Sequence, residues 1–182
     1  TDYNIAVARE LQDRGVDEVQ FDYIRFPTDG NLASATYRHR RPGMSNVDAL
    51  ESFLAKARES LVIPISTDLY GFNSWNRMGT TNGQSIEMFS RYVDVVSPMF
   101  YPNHFPLSFM RGVPYFDRAA RIYEEGTERA KLMVGEQALV RPYVQAFLLR
   151  SYAAEQDLDV AQSGELLRRQ LEAAQGSASS GY

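Results

Sequence analysis

The chain has 182 residues, a formal net charge of −4, 44% hydrophobic residues, two histidines and no cysteine. That composition is ordinary for a globular domain with one sizeable core, and the lack of cysteine excludes disulfides, thiolate metal sites and a cysteine nucleophile. Mild acidity argues against a nucleic-acid binder and no apolar run is long enough to span a membrane; with only His39 and His104, both in loops, acid–base chemistry falls to carboxylates.

In TDYNIAVARELQDRG, Ile5, Val7, Ala8 and Leu11 recur at helical spacing and Gly15 follows as a cap. The stretch reads as an amphipathic helix and not as a signal peptide, so any targeting segment is expected outside this chain. DEVQFDYIRF alternates and is rich in aromatic and β-branched residues, which predicts a strand near 18–25 stopped by Pro27. The loop PTDGNLASATYRHRRPGMSN is long for a compact domain, which marks it as functional. Within it Asp29 sets a turn, and RHRR (38–41) is either a solvated loop or a contact for an anionic polymer.

Ser45 or Asn46 then caps a helix, VDALESFLAKARESL, with Leu50, Phe53, Leu54, Ala57 and Leu61 on one face. The cycle repeats three times. VIPISTDLYG predicts a strand near 63–68, followed by the loop NSWNRMGTTNG and the short helix QSIEMFSRYV. VDVVSPMFYP predicts a strand near 94–100, followed by a Pro/Gly-rich connection and a long helix from Pro114, bent at Gly126 and capped by Gly135. ALVRPYVQAF predicts a strand near 138–144, with Pro142 an objection to it; GELLRRQLEAAQ is helical, and SASSGY is the approach to one more strand.

Strands alternating with helices imply βαβ units and a parallel sheet. The loops after the strands are long and carry Asp, Asn, Tyr and Trp, while the returns to the next strand are short. That asymmetry belongs to a (β/α)8 TIM barrel, whose site is built at the strand C-termini and which takes about 250 residues. Residues 1–182 are therefore expected to form a single partial barrel domain, the C-terminal half from about strand 4 to the approach of strand 8. A missing N-terminal half-barrel or a partner chain would close it. A small doubly wound sheet is the alternative.

Strand alternation puts Gln20 and Asp22 on one face, opposite Val19, Phe21 and Tyr23. A carboxylate at a strand end is costly unless paired or used, so Asp22 is either a site residue or half of a structural pair with Arg25. One strand over, Ser66 and Asp68 share a face, and Asp68 is either a second site carboxylate or a turn residue ahead of Gly71. Two carboxylates on adjacent strand ends suit glycoside hydrolysis. Strands lie roughly 4.8 Å apart, so the carboxyl groups should sit near the ~5–5.5 Å of retaining enzymes, one attacking carbon and the other an acid raised by its charged neighbour. Tyr70, Phe72, Trp75, Phe100 and Tyr101 offer stacking faces, although an aromatic taken singly is more often core than subsite. Arg25, Asn73, Asn76, Asn103, Arg141 and Gln145 offer hydroxyl partners. The candidate substrate-binding set is Arg25, Tyr70, Trp75, Tyr101, Arg141 and Gln145. No cofactor or metal is implied. Asp94 and Glu136 lie at the opposite strand ends and read as structural.

FDYIRFPTDG, STDLYG, VDVVSPMFYP and VRPYVQAF, in this order, resemble the bacterial putative glycosyl hydrolase domain of the glycoside-hydrolase-like barrel superfamily; FDYIRFP is also similar to a strand motif of bacterial cell-envelope glycosidases. The resemblance spans nearly the whole chain. It implies a (β/α)8 barrel, a carbohydrate polymer as substrate and an extracytoplasmic or secreted location. It also implies that Asp22 is the nucleophile or principal carboxylate, as on strand four of α-amylase-like and α-galactosidase-like barrels, and that Asp68 stands where α-amylase-like enzymes carry their acid, so that a retaining reaction would pass through a glycosyl-enzyme at Asp22 with Asp68 as acid–base. Strand six brings Tyr101 and no carboxylate, so the α-galactosidase pairing is not reproduced, and Tyr143 stands where the family motif has Trp. A catalytically inactive carbohydrate-binding or structural barrel module in an envelope or surface assembly is the alternative function.

Overall fold

The computed structural model describes residues 1–77, 81–177 and 179–182; part of the loop expected at 73–83 and one residue of SASSGY lie outside these. In chain order the elements are α1 (Asp2–Asp13), β1 (Val19–Phe21), α2 (Asn46–Ser60), β2 (Ile65–Tyr70), α3 (Ile86–Phe89), β3 (Val95–Met99), α4 (Tyr115–Val134), β4 (Leu139–Val140) and α5 (Val160–Gly176). The sheet runs β1-β2-β3-β4 with every neighbouring pair parallel. Among the described residues no helix is long and apolar enough to cross a membrane.

The helix starts follow local chemistry. Ser45 accepts from the Asp48 amide while Asp48 accepts from the Ser45 amide, and Asp159 and Gln162 form the same reciprocal box ahead of α5. That box starts α5 at Val160, ahead of the expected Gly164. α4 runs unbroken through Gly126, where a bend was expected. A Cβ there would stand 2.7–2.8 Å from Phe100 and Trp75, so the glycine serves close packing and not a kink.

Two strands are shorter than the pattern predicts, each for a backbone reason. β1 stops at Phe21 because Tyr23 adopts φ +56°, which turns the chain out of the sheet. β4 is regular only over Leu139–Val140, although the amides of Arg141 and Tyr143 still donate to Val96 and Pro98 of β3. Pro142 falls on the alternate position, so its missing N–H costs no bond to β3. On β4's other edge the Ser180 amide donates to the Val140 carbonyl at 2.7 Å, as a chain approaching a further strand would.

Outward-facing Val19, Phe21, Ile65, Leu69, Val96 and Val140 pack with Leu50, Phe53, Leu54, Ala130 and Val134 of the helices in one core. A second cluster sets Phe100 against Ile122 and Tyr123 of α4, with Trp75 and Phe109 against it. The inward face is polar, and it curls. Two strands separate β1 from β4, yet Arg141 pairs with Glu18 and the Tyr143 hydroxyl donates to Gln20 at 2.6 Å. Side chains from non-adjacent strands meet across a concave face only when a parallel sheet is bent into an arc, as in a segment of a (β/α)8 barrel.

Candidate active site

Asp68 lies inside β2, which extends to Tyr70, so it is not a turn residue. It is 6% exposed. Gln20 Nε2 donates to its Oδ1 at 2.7 Å, and Gln20 Oε1 accepts from the Tyr143 hydroxyl at 2.6 Å. One amide therefore orients both the acid and the tyrosine. Burial, and after it hydrogen bonding of the protonated group to Asp22 and the charge of Asp22, push the Asp68 carboxyl up to about 7. Asp22 thus stands at the end of the strand next to Asp68, close enough for its charge to act on that carboxyl.

Asp22 follows the last residue of β1 and is exposed. Its Oδ1 accepts from the Tyr23 amide at 2.6 Å, in the turn where Tyr23 has positive φ. A bulky residue in that region carries a cost of order 1–3 kcal/mol, and such strain concentrates at functional positions. The structural pairing of Asp22 with Arg25 is not seen: no ion pair joins them among the described residues. The Arg25 guanidinium instead lies over the Tyr23 ring, 4.9 Å from its centroid, close enough to His104 to depress that imidazole after burial has done so.

Tyr101 joins the carboxylates. Its hydroxyl is raised first by burial, then by Asp68, Tyr143 and Asp22, and its ring meets His104 and Phe147 edge-on at 5.2 and 5.3 Å. Tyr70 shares the inward parity of Asp68 on β2. Below this layer Glu18 accepts from Ser66 Oγ at 2.6 Å and from both terminal nitrogens of Arg141, which hold its carboxyl below the ordinary carboxylate range. Arg141 is therefore part of the floor and is committed to Glu18.

Two expected ligand-binding residues lie elsewhere. Trp75 packs edge-on against Phe100, Phe105 and Phe109 under α4, because the loop after β2 folds outward onto the helix layer. Gln145 is buried, with its side chain bonded to Glu155, the Phe147 carbonyl and the Asn103 amide. Glu155, which nothing in the sequence pattern marks, is the centre of that network. It is fully buried and accepts from Asn103, Gln145, the Leu149 amide and the Tyr115 hydroxyl. It thereby ties the loop after β4, which carries Phe147, to the loop after β3, which carries Tyr101 and His104.

Gln20 and Tyr143 were missing from the expected site, though strand alternation already placed Gln20 on the Asp22 face. His104 and Phe147 had no signal beyond residue type.

No curated protein matches the chain. Among solved structures, the PgaB (BpsB) glycoside hydrolase domain from Bordetella bronchiseptica is similar at 18% identity and a TM-score of 0.48; the match covers 75% of this chain and 36% of that one. The model of a family described as "Putative glycosyl hydrolase domain" matches residues 1–182, and the chain belongs to that family.

Proposed function

We propose that this protein hydrolyses a glycosidic bond of a polysaccharide or cell-envelope glycan with retention of configuration, Asp22 acting as nucleophile and Asp68 as acid–base. Membership in a glycosyl hydrolase family supports the reaction class. The observation that carries the roles is the asymmetry of the pair: Asp68 is buried and pushed up to about 7, while Asp22 is exposed beside it. A carboxyl that keeps its proton near neutrality can donate it to the leaving oxygen, and its charged neighbour is free to attack the anomeric carbon. Short aspartate arms on adjacent strands, which lie roughly 4.8 Å apart, favour the ~5–5.5 Å separation of retaining enzymes over the ~6.5–9.5 Å across which inverting enzymes hold a water.

In the glycosylation step Asp22 Oδ forms a bond to carbon as the glycosidic C–O bond breaks and the Asp68 proton passes to the departing oxygen. In the second step Asp68 takes a proton from water, whose oxygen displaces Asp22. Gln20 holds Asp68 in line, and the rings of Tyr101, Tyr143 and Phe147 form the rim against which a sugar stacks. Further βα units beside the edge of β1 that carries no strand among the described residues would complete the barrel around this face.

Proton NMR of the first-formed product tests the course, with a retained anomer expected and an inverted one ruling out the pair. Asp22→Asn should abolish hydrolysis and leave substrate binding measurable; undiminished turnover would remove Asp22 from the chemistry.

A further inference from the structure

The loop between β1 and α2 closes a cavity of about 450 Å³ against α2, and the carboxylate site uses none of it. Tyr37, Arg38, His39 and Arg40 line the loop side, with Phe26 and Phe53 supplying apolar wall. Among the described residues no carboxylate lines the cavity, although the chain as a whole carries a net charge of −4. Other arginines, Arg58, Arg141 and Arg169 among them, are paired with acids. Among the described residues Arg38 and Arg40 have no ion-pair partner. The Arg40 guanidinium lies over the Tyr37 ring, 5.9 Å from its centroid, and Tyr37 meets Phe26 edge-on at 5.1 Å.

Two unneutralised guanidiniums beside paired aromatic rings make a specific kind of receptor. The forked donors match a carboxylate or phosphate, and the rings offer an apolar face to a sugar. The loop springs from the same strand end as Asp22, so the arginines and the carboxylate belong to the connection that follows one strand.

Resting on the glycan reading above, we infer that this cavity binds an acidic sugar unit, with Arg38 and Arg40 gripping its carboxylate or phosphate and Tyr37 and Phe26 packing against its ring. The test is binding to the full chain, followed by amide NMR, of an oligogalacturonate, a glycerol-phosphate oligomer and a neutral cello-oligosaccharide of equal length. An acidic oligomer should move the resonances of Tyr37 and Phe53, and the tighter of the two names the acid. The double variant Arg38→Ala/Arg40→Ala should weaken that binding about tenfold or more, the equivalent of one charge-assisted hydrogen bond. Its melting temperature should be unchanged, since both side chains are exposed. Binding that is equal for the neutral oligomer, or indifferent to the double variant, would overturn the inference. So would tighter binding of a single-stranded oligonucleotide than of either acidic glycan. Because the readout is binding, a loss of hydrolysis in neither Asp22→Asn nor Asp68→Asn would sink the catalytic reading while leaving this result to stand or fall separately.

Discussion

At Asp68 burial and a neighbouring charge act in the same direction, and the consequence is a measurable pH dependence. Its carboxyl is raised from 3.8 to about 7 in the folded protein, so between those values the folded state holds a proton that the unfolded chain releases. Stability from this group is therefore fully present below about pH 4 and declines as pH climbs through about 7. Asp68→Asn removes that slope. Thermal melts should coincide with wild type in acid and exceed it by a few degrees above neutrality, where roughly 2–4 °C corresponds to 1 kcal/mol in a chain of this size. The same proton should shape catalysis, with kcat/KM falling on the alkaline side of about 7 as the acid is lost. Gln20 is the residue that aims this acid, through one bond to Asp68 and another from Tyr143. Gln20→Leu should lower kcat by about a hundredfold, the scale of a misplacement near 1 Å, with KM little altered; steady-state kinetics decides it.

Among the elements, α4 and the loops after β3 and β4 hold the rim in place. Gly126→Ala gains up to ~1 kcal/mol in helix propensity. Its new Cβ, however, meets Phe100 and Trp75 at 2.7–2.8 Å, and overpacking of that kind costs about 1–3 kcal/mol. Denaturant melts should show a net destabilisation, where propensity alone predicts the reverse. Glu155 is a loop residue with the burial of a core residue, accepting four hydrogen bonds. Glu155→Ala leaves those donors without an acceptor at about 1–3 kcal/mol each. Protease nicking within 146–158 and a rise in KM from the displaced Tyr101 and Phe147 are expected together. Unchanged KM with normal proteolytic resistance would show that the two loops hold without it.

For the whole molecule, the arc leaves one edge of β1 without a strand among the described residues, and beside it α1 exposes Tyr3, Val7 and Leu11. On the concave side Leu139 is 51% exposed. Unpaired edges recruit other strands, so residues 1–182 alone should associate as concentration rises, whereas a chain carrying further βα units should stay monomeric; sedimentation velocity distinguishes them. Much of this architecture is legible in the sequence because it depends on neighbours in the chain. The alternation of DEVQFDYIRF and IPISTDLYG, the caps at Ser45 and Gly135 and the helical spacing of Leu50, Phe53, Leu54 and Ala57 determine by themselves four parallel strands, their helices and the face on which Asp22 and Asp68 stand. Tertiary structure alone decided which polar residues are free to act. Arg141 is spent on Glu18, Gln145 on Glu155 and Trp75 on the α4 core, while Gln20 reaches Asp68 and Tyr143 reaches Gln20. Those partners lie 10 to 123 positions apart. Local pattern specifies a side chain's direction from its own strand, but its partner depends on how far the sheet curls and where the loops fold back.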